Sequence, residues 1–244
     1  MMSHGICAIV GAGDGLGRAL AARFARGGYR LALLSRSAAG SAAALASAQE
    51  AAPQLEHAYY PADAEDAEGL NAQLSNIAAA GAPIDVLIYN ARGGYTLRAP
   101  LEMSYAELEE IYRLEVVGAF AAAKAVMPAM IERGQGSVIY SSATAALRGS
   151  GTNPLYAIGK FGLRALAQSL AKAYAQHGVH VAHVRLDCTL DVPMVREWLG
   201  ERFDPELTSN CDDVAESYWW VHQQPRSAWS NEVELRPYTE NWTF

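Results

Sequence analysis

The chain has 244 residues, enough for one α/β domain or at most two small ones, and 51% of it is hydrophobic, which suits a core covered on both faces. A formal charge of −7 and a pI near 5.4 argue against nucleic acid or an anionic membrane surface as a partner. Cys7, Cys188 and Cys211 are scattered, odd in number and form no C-x-x-C pair, so they read as free thiols rather than disulfides or metal ligands.

The first four residues carry no basic n-region, and no apolar run is read as reaching the roughly 18 residues of a membrane span. A soluble, cytoplasmic protein is the expectation. The apolar run 6–10 reads as a buried strand that feeds Gly11-Ala12-Gly13-Asp14-Gly15-Leu16-Gly17, and an alanine-rich helix then runs to Arg26. Glycines let the backbone take positive φ and let a phosphate approach where a Cβ would block it. The N-terminus of the following helix offers free N–H groups and a positive dipole end to that anion.

Further strands are expected at 30–35, 56–60, 85–89, 137–142 and 179–186, with a last short one at 232–235. Helices are expected at 38–52, 64–80, 104–131 and 153–177, a short one near 195–199, and one over 211–223. The strand at 85–89, Asp-Val-Leu-Ile-Tyr, is almost wholly apolar and belongs in the sheet centre. Alternating β and α runs predict a doubly wound, Rossmann-type parallel sheet with helices on both faces, in a single domain. Ligands of such sheets bind at the carboxyl ends of the strands. The candidate residues fall there: the glycine loop, Arg36, Asp63, Asn90 and Ser142.

These residues resemble the short-chain dehydrogenase/reductase family from about residue 5 to residue 194. The family pattern Thr-Gly-x-x-x-Gly-x-Gly corresponds to Val10-Gly11-x-x-x-Gly15-Leu16-Gly17, which keeps the glycines and loses the threonine. Asp63 matches the aspartate that holds the adenine. Asn90-Ala91 matches the end of Asn-Asn-Ala-Gly, with Tyr89 and Arg92 replacing its first asparagine and its glycine. Tyr156-Ala157-Ile158-Gly159-Lys160 matches the Tyr-x-x-x-Lys pair. Residues i and i+4 share a helix face, and an ammonium beside a phenol favours the phenolate, which suits proton exchange with a carbonyl or alcohol oxygen. In the family the lysine also grips the nicotinamide ribose. Only three lysines, Lys124, Lys160 and Lys172, occur in the chain.

At the end of the second strand Ser35, Arg36 and Ser37 replace an acidic residue; a guanidinium and two hydroxyls suit a 2′-phosphate, so NADP(H) is expected over NAD(H), with Asp14 adding some repulsion. The family tetrad of Asn, Ser, Tyr and Lys is kept by half. Ala143 stands at the serine position, with Ser142 one residue away on the opposite strand face unless the strand slips, and Glu115 stands at the asparagine position. Leu186-Asp187 replaces the Pro-Gly after the sixth strand. Such a lost donor is worth roughly 2.7–4 kcal/mol in other enzymes.

His177, His180 and His183 read as structural, since residues 180 and 183 of a strand face opposite sides. Tyr218, Trp219, Trp220, Trp229 and Trp242 read as core and subunit packing, with a wall of the substrate pocket as the sharper reading of a segment 188–244 that faces substrate or a second subunit. The resemblance implies hydride transfer between NADP(H) and a carbonyl/alcohol pair. It assigns Tyr156 as acid/base, Lys160 as its tuner and ribose anchor, and Ser142 as carbonyl holder. Gly11, Gly13, Asp14, Gly15, Leu16, Gly17, Ser35, Arg36, Ser37, Asp63, Asn90, Ala91 and Lys160 would surround the cofactor. A homodimer or homotetramer through helices 104–131 and 153–177 is implied. The rival expectation is an NADP(H)-bound sensor, scaffold or inactive subunit partner; a non-redox enzyme on this fold is the third.

Overall fold

In a computed structural model that describes residues 5–94 and 96–240, the backbone alternates strand and helix as the apolar runs require. Strands β1 (Ile6–Val10), β2 (Arg30–Ser35), β3 (His57–Pro61), β4 (Ile84–Tyr89), β5 (Gly136–Ala143) and β6 (Val179–Leu186) lie in one sheet. Helices α1 (Leu16–Arg26), α2 (Ala38–Ala51) and α3 (Ala67–Ala79) connect the first four strands. A long helix follows as α4 (Tyr105–Tyr112), a π-helical turn (Arg113–Val117) and α5 (Gly118–Arg133); α6 (Pro154–Tyr174) joins β5 to β6. Beyond β6 come two short paired strands, β7 (Leu190–Asp191) and β8 (Ser209–Asn210), flanking α7 (Pro193–Leu199), then α8 (Cys211–Gln223) and β9 (Glu232–Leu235).

The main sheet has the order β3-β2-β1-β4-β5-β6-β9, parallel throughout. The chain leaves β1 to one side and returns to the other at β4, so a crevice opens between the carboxyl ends of those two strands. Side chains alternate across the pleat and build two cores. Cys7, Ile9, Leu31, Leu33, Val86, Ile88 and Ile139 pack under α1, α2 and α8, with Phe24 and Tyr218. Ala8, Val10, Leu34, Leu87, Tyr89, Val138 and Tyr140 pack under α3, α5 and α6, with Leu70, Leu74 and Leu163.

The boundaries differ from expectation where side chains intervene. The third helix begins at Ala67 rather than at 64 because the Asp66 carboxylate accepts from the Gly69 amide at 3.0 Å and caps it. The long helix runs on to Arg133 despite Pro128, and Gly134 closes it in a left-handed conformation. It also breaks from α to π at Arg113–Val117, which apolar periodicity does not reveal. The 105–133 helix is long and apolar enough to cross a membrane, contrary to the sequence reading. Half of its most apolar window is buried in the fold. Ala119, Ala122, Ala123, Val126 and Met130 lie in the core shared with β4, β5 and α3. It is a core helix.

Candidate active site

Three glycines of the loop after β1 are dictated by close packing. Gly11 has φ +86°, and a Cβ there would stand 2.5 Å from the Ala91 amide nitrogen. A Cβ on Gly17 would meet the Ala12 backbone at 2.9 Å, and one on Gly15 would meet Val192 Cγ1 at 2.6 Å. Gly13 differs: a Cβ there would meet nothing within 4 Å, so the space above it is open. Gly15 is the N-cap of α1 and no side chain caps that helix, which leaves its amides facing the loop. Leu16 turns into the core, while Asp14 is exposed at the tip. Asn90 ties this loop to the end of β4, donating from its amide to the Gly11 carbonyl at 2.9 Å; Ala91 follows, half-buried. An uncapped helix N-terminus beneath an open glycine loop, at the crevice between β1 and β4, fits the pyrophosphate of a dinucleotide.

At the end of β2 the three candidates separate. The Ser35 hydroxyl donates to the Ser37 carbonyl at 2.9 Å and shares a 2.7 Å hydrogen bond with Ser41. The Ser37 hydroxyl accepts from the Gly40 amide and caps α2. Both hydroxyls therefore serve the turn, and Arg36 is the exposed group left facing outward. Asp63, exposed after β3, accepts from the Glu65 amide at 3.0 Å. Glu65 completes this corner, and the sequence reading did not include it. Its carboxyl titrates above the ordinary range, chiefly through burial and then the Asp63 charge, with Arg36 acting in the opposite direction. Arg36 thus has acidic company where a 2′-phosphate would lie.

Tyr156 and Lys160 lie one turn apart on α6, the tyrosine half-buried and the lysine 2% exposed. The Lys160 ammonium stands 5.5 Å from the centre of the Tyr156 ring. It donates to the Ser141 carbonyl at 3.2 Å and to Glu115 Oε2 at 2.8 Å. Glu115 is fully buried, and its Oε1 accepts from the Gly93 amide at 2.9 Å. Burial works against the ammonium, but Glu115 and Tyr156 together outweigh it, so Lys160 holds its proton above the usual lysine range; Arg92 opposes them. The π-helical turn carries Glu115 inward, and the Tyr89 hydroxyl donates to the Leu114 carbonyl within that turn at 2.5 Å. Gly159 makes the approach possible, because a Cβ there would reach within 2.8 Å of Glu115 Cγ. The sequence reading had marked Glu115 only as a departure from asparagine; a carboxylate aligned with a buried lysine was the available signal.

Strand β5 runs without interruption to Ala143, in continuous register with β6. No slip of the strand end occurs. Ser142 is buried on the face shared with Tyr140, and its hydroxyl has no hydrogen-bond partner among the described residues. Ser141 is on the other face, accepting from the Tyr218 hydroxyl at 2.8 Å. Thr144 donates to Asp187, which also pairs with Arg236 at 2.7 Å.

The other candidates are structural. His180 stacks on Trp229 with ring centroids 4.7 Å apart and bonds to the Ser230 carbonyl. His183 is fully buried, and burial pushes its imidazole down to about 4. Trp219 packs edge-on against Phe24, and Tyr218 is buried in the same core, whereas Trp220 is more than half exposed. Trp242 lies outside the described residues. The three cysteines are unpaired, and burial raises the Cys7, Cys188 and Cys211 thiols, the last to about 11. Among the described residues no three His, Cys, Asp or Glu side chains gather as a metal site.

Glycine loop, crevice and a tyrosine–lysine pair near the strand ends are parts of a Rossmann-type α/β fold. Residues 6–201 match the short chain dehydrogenase family, and the chain belongs to it, as an oxidoreductase of that class. It is 34% identical over 221 residues to the galactitol 2-dehydrogenase (L-tagatose-forming) of Cereibacter sphaeroides, covering 87% of this chain and 84% of that one. It is 29% identical to the levodione reductase of Leifsonia aquatica, covering 92% and 82%. A crystal structure of a levodione reductase superposes with a TM-score of 0.86 at 23% identity, over 97% of this chain and 98% of that one. A metagenomic short-chain oxidoreductase in complex with NADP gives 0.82 at 23% identity, over 96% and 98%.

Proposed function

We propose that this protein transfers hydride between NADP(H) and a small or medium carbonyl/alcohol pair, with Tyr156 as the catalytic acid/base. The observation that carries this reading is the Tyr156–Lys160 pair on α6, beside the crevice of an open glycine loop. When bound, a nicotinamide supplies or accepts the hydride. The chain's own residues do the rest. The Gly11–Gly17 loop and the N-terminus of α1 receive the pyrophosphate, Asn90 holds the loop in place, and Asp63 and Ala91 border the nucleotide. Arg36 faces the 2′-phosphate, and a guanidinium at that strand end supports NADP(H) over NAD(H). Tyr156 gives a proton to the substrate oxygen or takes it back. Lys160 has three N–H donors, two of them used by Glu115 and Ser141, which leaves one for the ribose.

Exposed apolar side chains on the long helix and α6, among them Tyr112, Phe120, Ile158 and Phe161, support assembly with a second copy through those helices. Sedimentation that returns a monomer would reject that assembly.

A second reading rests on a specific observation. No serine is at position 143, Ser142 is buried, and Thr144 is engaged with Asp187, so none of these three positions offers the family's serine hydroxyl. That favours an NADP(H)-binding protein with weak or no turnover. Titrating NADPH while following nicotinamide fluorescence tests the shared part of both readings, and no change at millimolar cofactor rejects both. A carbonyl panel run beside Tyr156→Phe separates them. Turnover falling about a hundredfold or more in the variant, with cofactor binding kept, supports the enzyme; no turnover in either protein supports the binder.

A further inference from the structure

We propose that Glu115 is a positioning residue that holds the Lys160 ammonium and offsets its charge, so that the Tyr156 phenol faces a neutral pair rather than a lone cation. The inference rests on the assignment of Tyr156 as the acid/base. A lone buried ammonium near a phenol stabilises the phenolate strongly. Here the ammonium is paired at 2.8 Å with a carboxylate that is itself fully buried, so the tyrosine faces a neutral pair rather than a cation.

The pair is built in from several sides. The π-helical turn points Glu115 inward, the Gly93 amide fixes its second oxygen, and Gly159 leaves room for its side chain. Among the described residues, the other titratable and charged groups acting on Lys160 are Tyr156 on its own helix, Arg92 after β4, and His183 on β6. Burial keeps His183 neutral near pH 7, and Arg92 is exposed, so its charge is screened by water. In reduction Tyr156 would give its proton to the substrate oxygen and recover one from solvent, while a bound dihydronicotinamide would supply the hydride.

The test reads proton loss from Tyr156 directly and needs no turnover. The near-ultraviolet phenolate band is followed against pH in the full chain, taken as the difference from a Tyr156→Phe variant in the same background. Glu115→Gln should move the midpoint to lower pH by about one unit or more. Glu115→Asp, which keeps the charge, should stay with the wild type. The double variant Glu115→Gln/Lys160→Met replaces a neutral pair by a neutral pair without leaving an orphaned charge, and it too should titrate like the wild type. It decides the matter if the single variant does not fold. Equal midpoints for wild type and Glu115→Gln overturn the proposal, as does a double variant that moves acidward by a unit. An acidward shift in a wild type without turnover would leave the charge offset standing and remove the hydride-transfer reading. Turnover with no shift would do the reverse.

Discussion

At the scale of single residues, the proposed cofactor end of the site turns on Arg36. Its neighbours Ser35 and Ser37 spend their hydroxyls on the turn and the α2 cap, so the guanidinium is the group left to meet a 2′-phosphate. Removing a hydrogen bond to a charged group costs about 1.5–3 kcal/mol, so Arg36→Ala should weaken NADPH about tenfold to a hundredfold and leave NADH nearly unchanged. Fluorescence titration of both cofactors checks it, and equal losses would reject the 2′-phosphate contact. Glu65→Gln should act oppositely, tightening NADPH, because it removes a negative charge from the same corner. The placement of Arg36 and Asp63 just after β2 and β3 was legible in the sequence because strand ends are legible. Glu65 was not, since only the turn after β3 brings it to face Arg36.

At the scale of elements, the long helix between β4 and β5 is decisive. Periodicity predicted one continuous α-helix, and the chain instead widens to a π turn at Arg113–Val117. That turn is anchored by the Tyr89 hydroxyl and lies beside Gly118, where a Cβ would come within 2.0 Å of the Ala64 carbonyl oxygen. The Ala64 carbonyl is backbone, and Tyr89, whose hydroxyl would lie at 2.6 Å, is fully buried. Gly118→Ala should therefore cost about 1–3 kcal/mol by overpacking, seen as a lower urea midpoint. An unchanged midpoint would show that the helix can shift away freely. A π turn has no signature of its own in composition, because its residues suit an α-helix equally well.

At the scale of the whole molecule, the C-terminal segment closes the sheet and one of its two cores. Helix α8 packs along α1, Tyr218 bonds to Ser141 of the central strands, and β9 extends the sheet beside β6. Beneath β9, His183 has its imidazole held down at about 4 by burial, against about 6.5 for an unfolded chain. The unfolded state therefore binds a proton that the folded state refuses between those two values. Stability is full above about pH 6.5 and falls as pH drops towards 4, by about 3 kcal/mol from this group. Urea midpoints at pH 7 and pH 5 should show about 2 kcal/mol of that loss, and His183→Leu should reduce it. An equal loss in the variant would assign the acid sensitivity elsewhere.

By itself the sequence determined the parallel sheet, the glycine loop at its crevice and the tyrosine–lysine pair. Strand alternation, glycine spacing and an i, i+4 pair are local patterns with one physical solution each. The free cysteines and the structural His180 and His183 were equally readable, from their isolation and from strand parity. What only the tertiary structure decided is where Lys160 sends its charge. Glu115 is 45 residues away in sequence and reaches it through a π turn, a glycine that yields its Cβ space, and a loop amide on a third segment. Long-range burial chooses the partner of a buried ammonium, because an unpaired charge in the core costs more than any local preference can return.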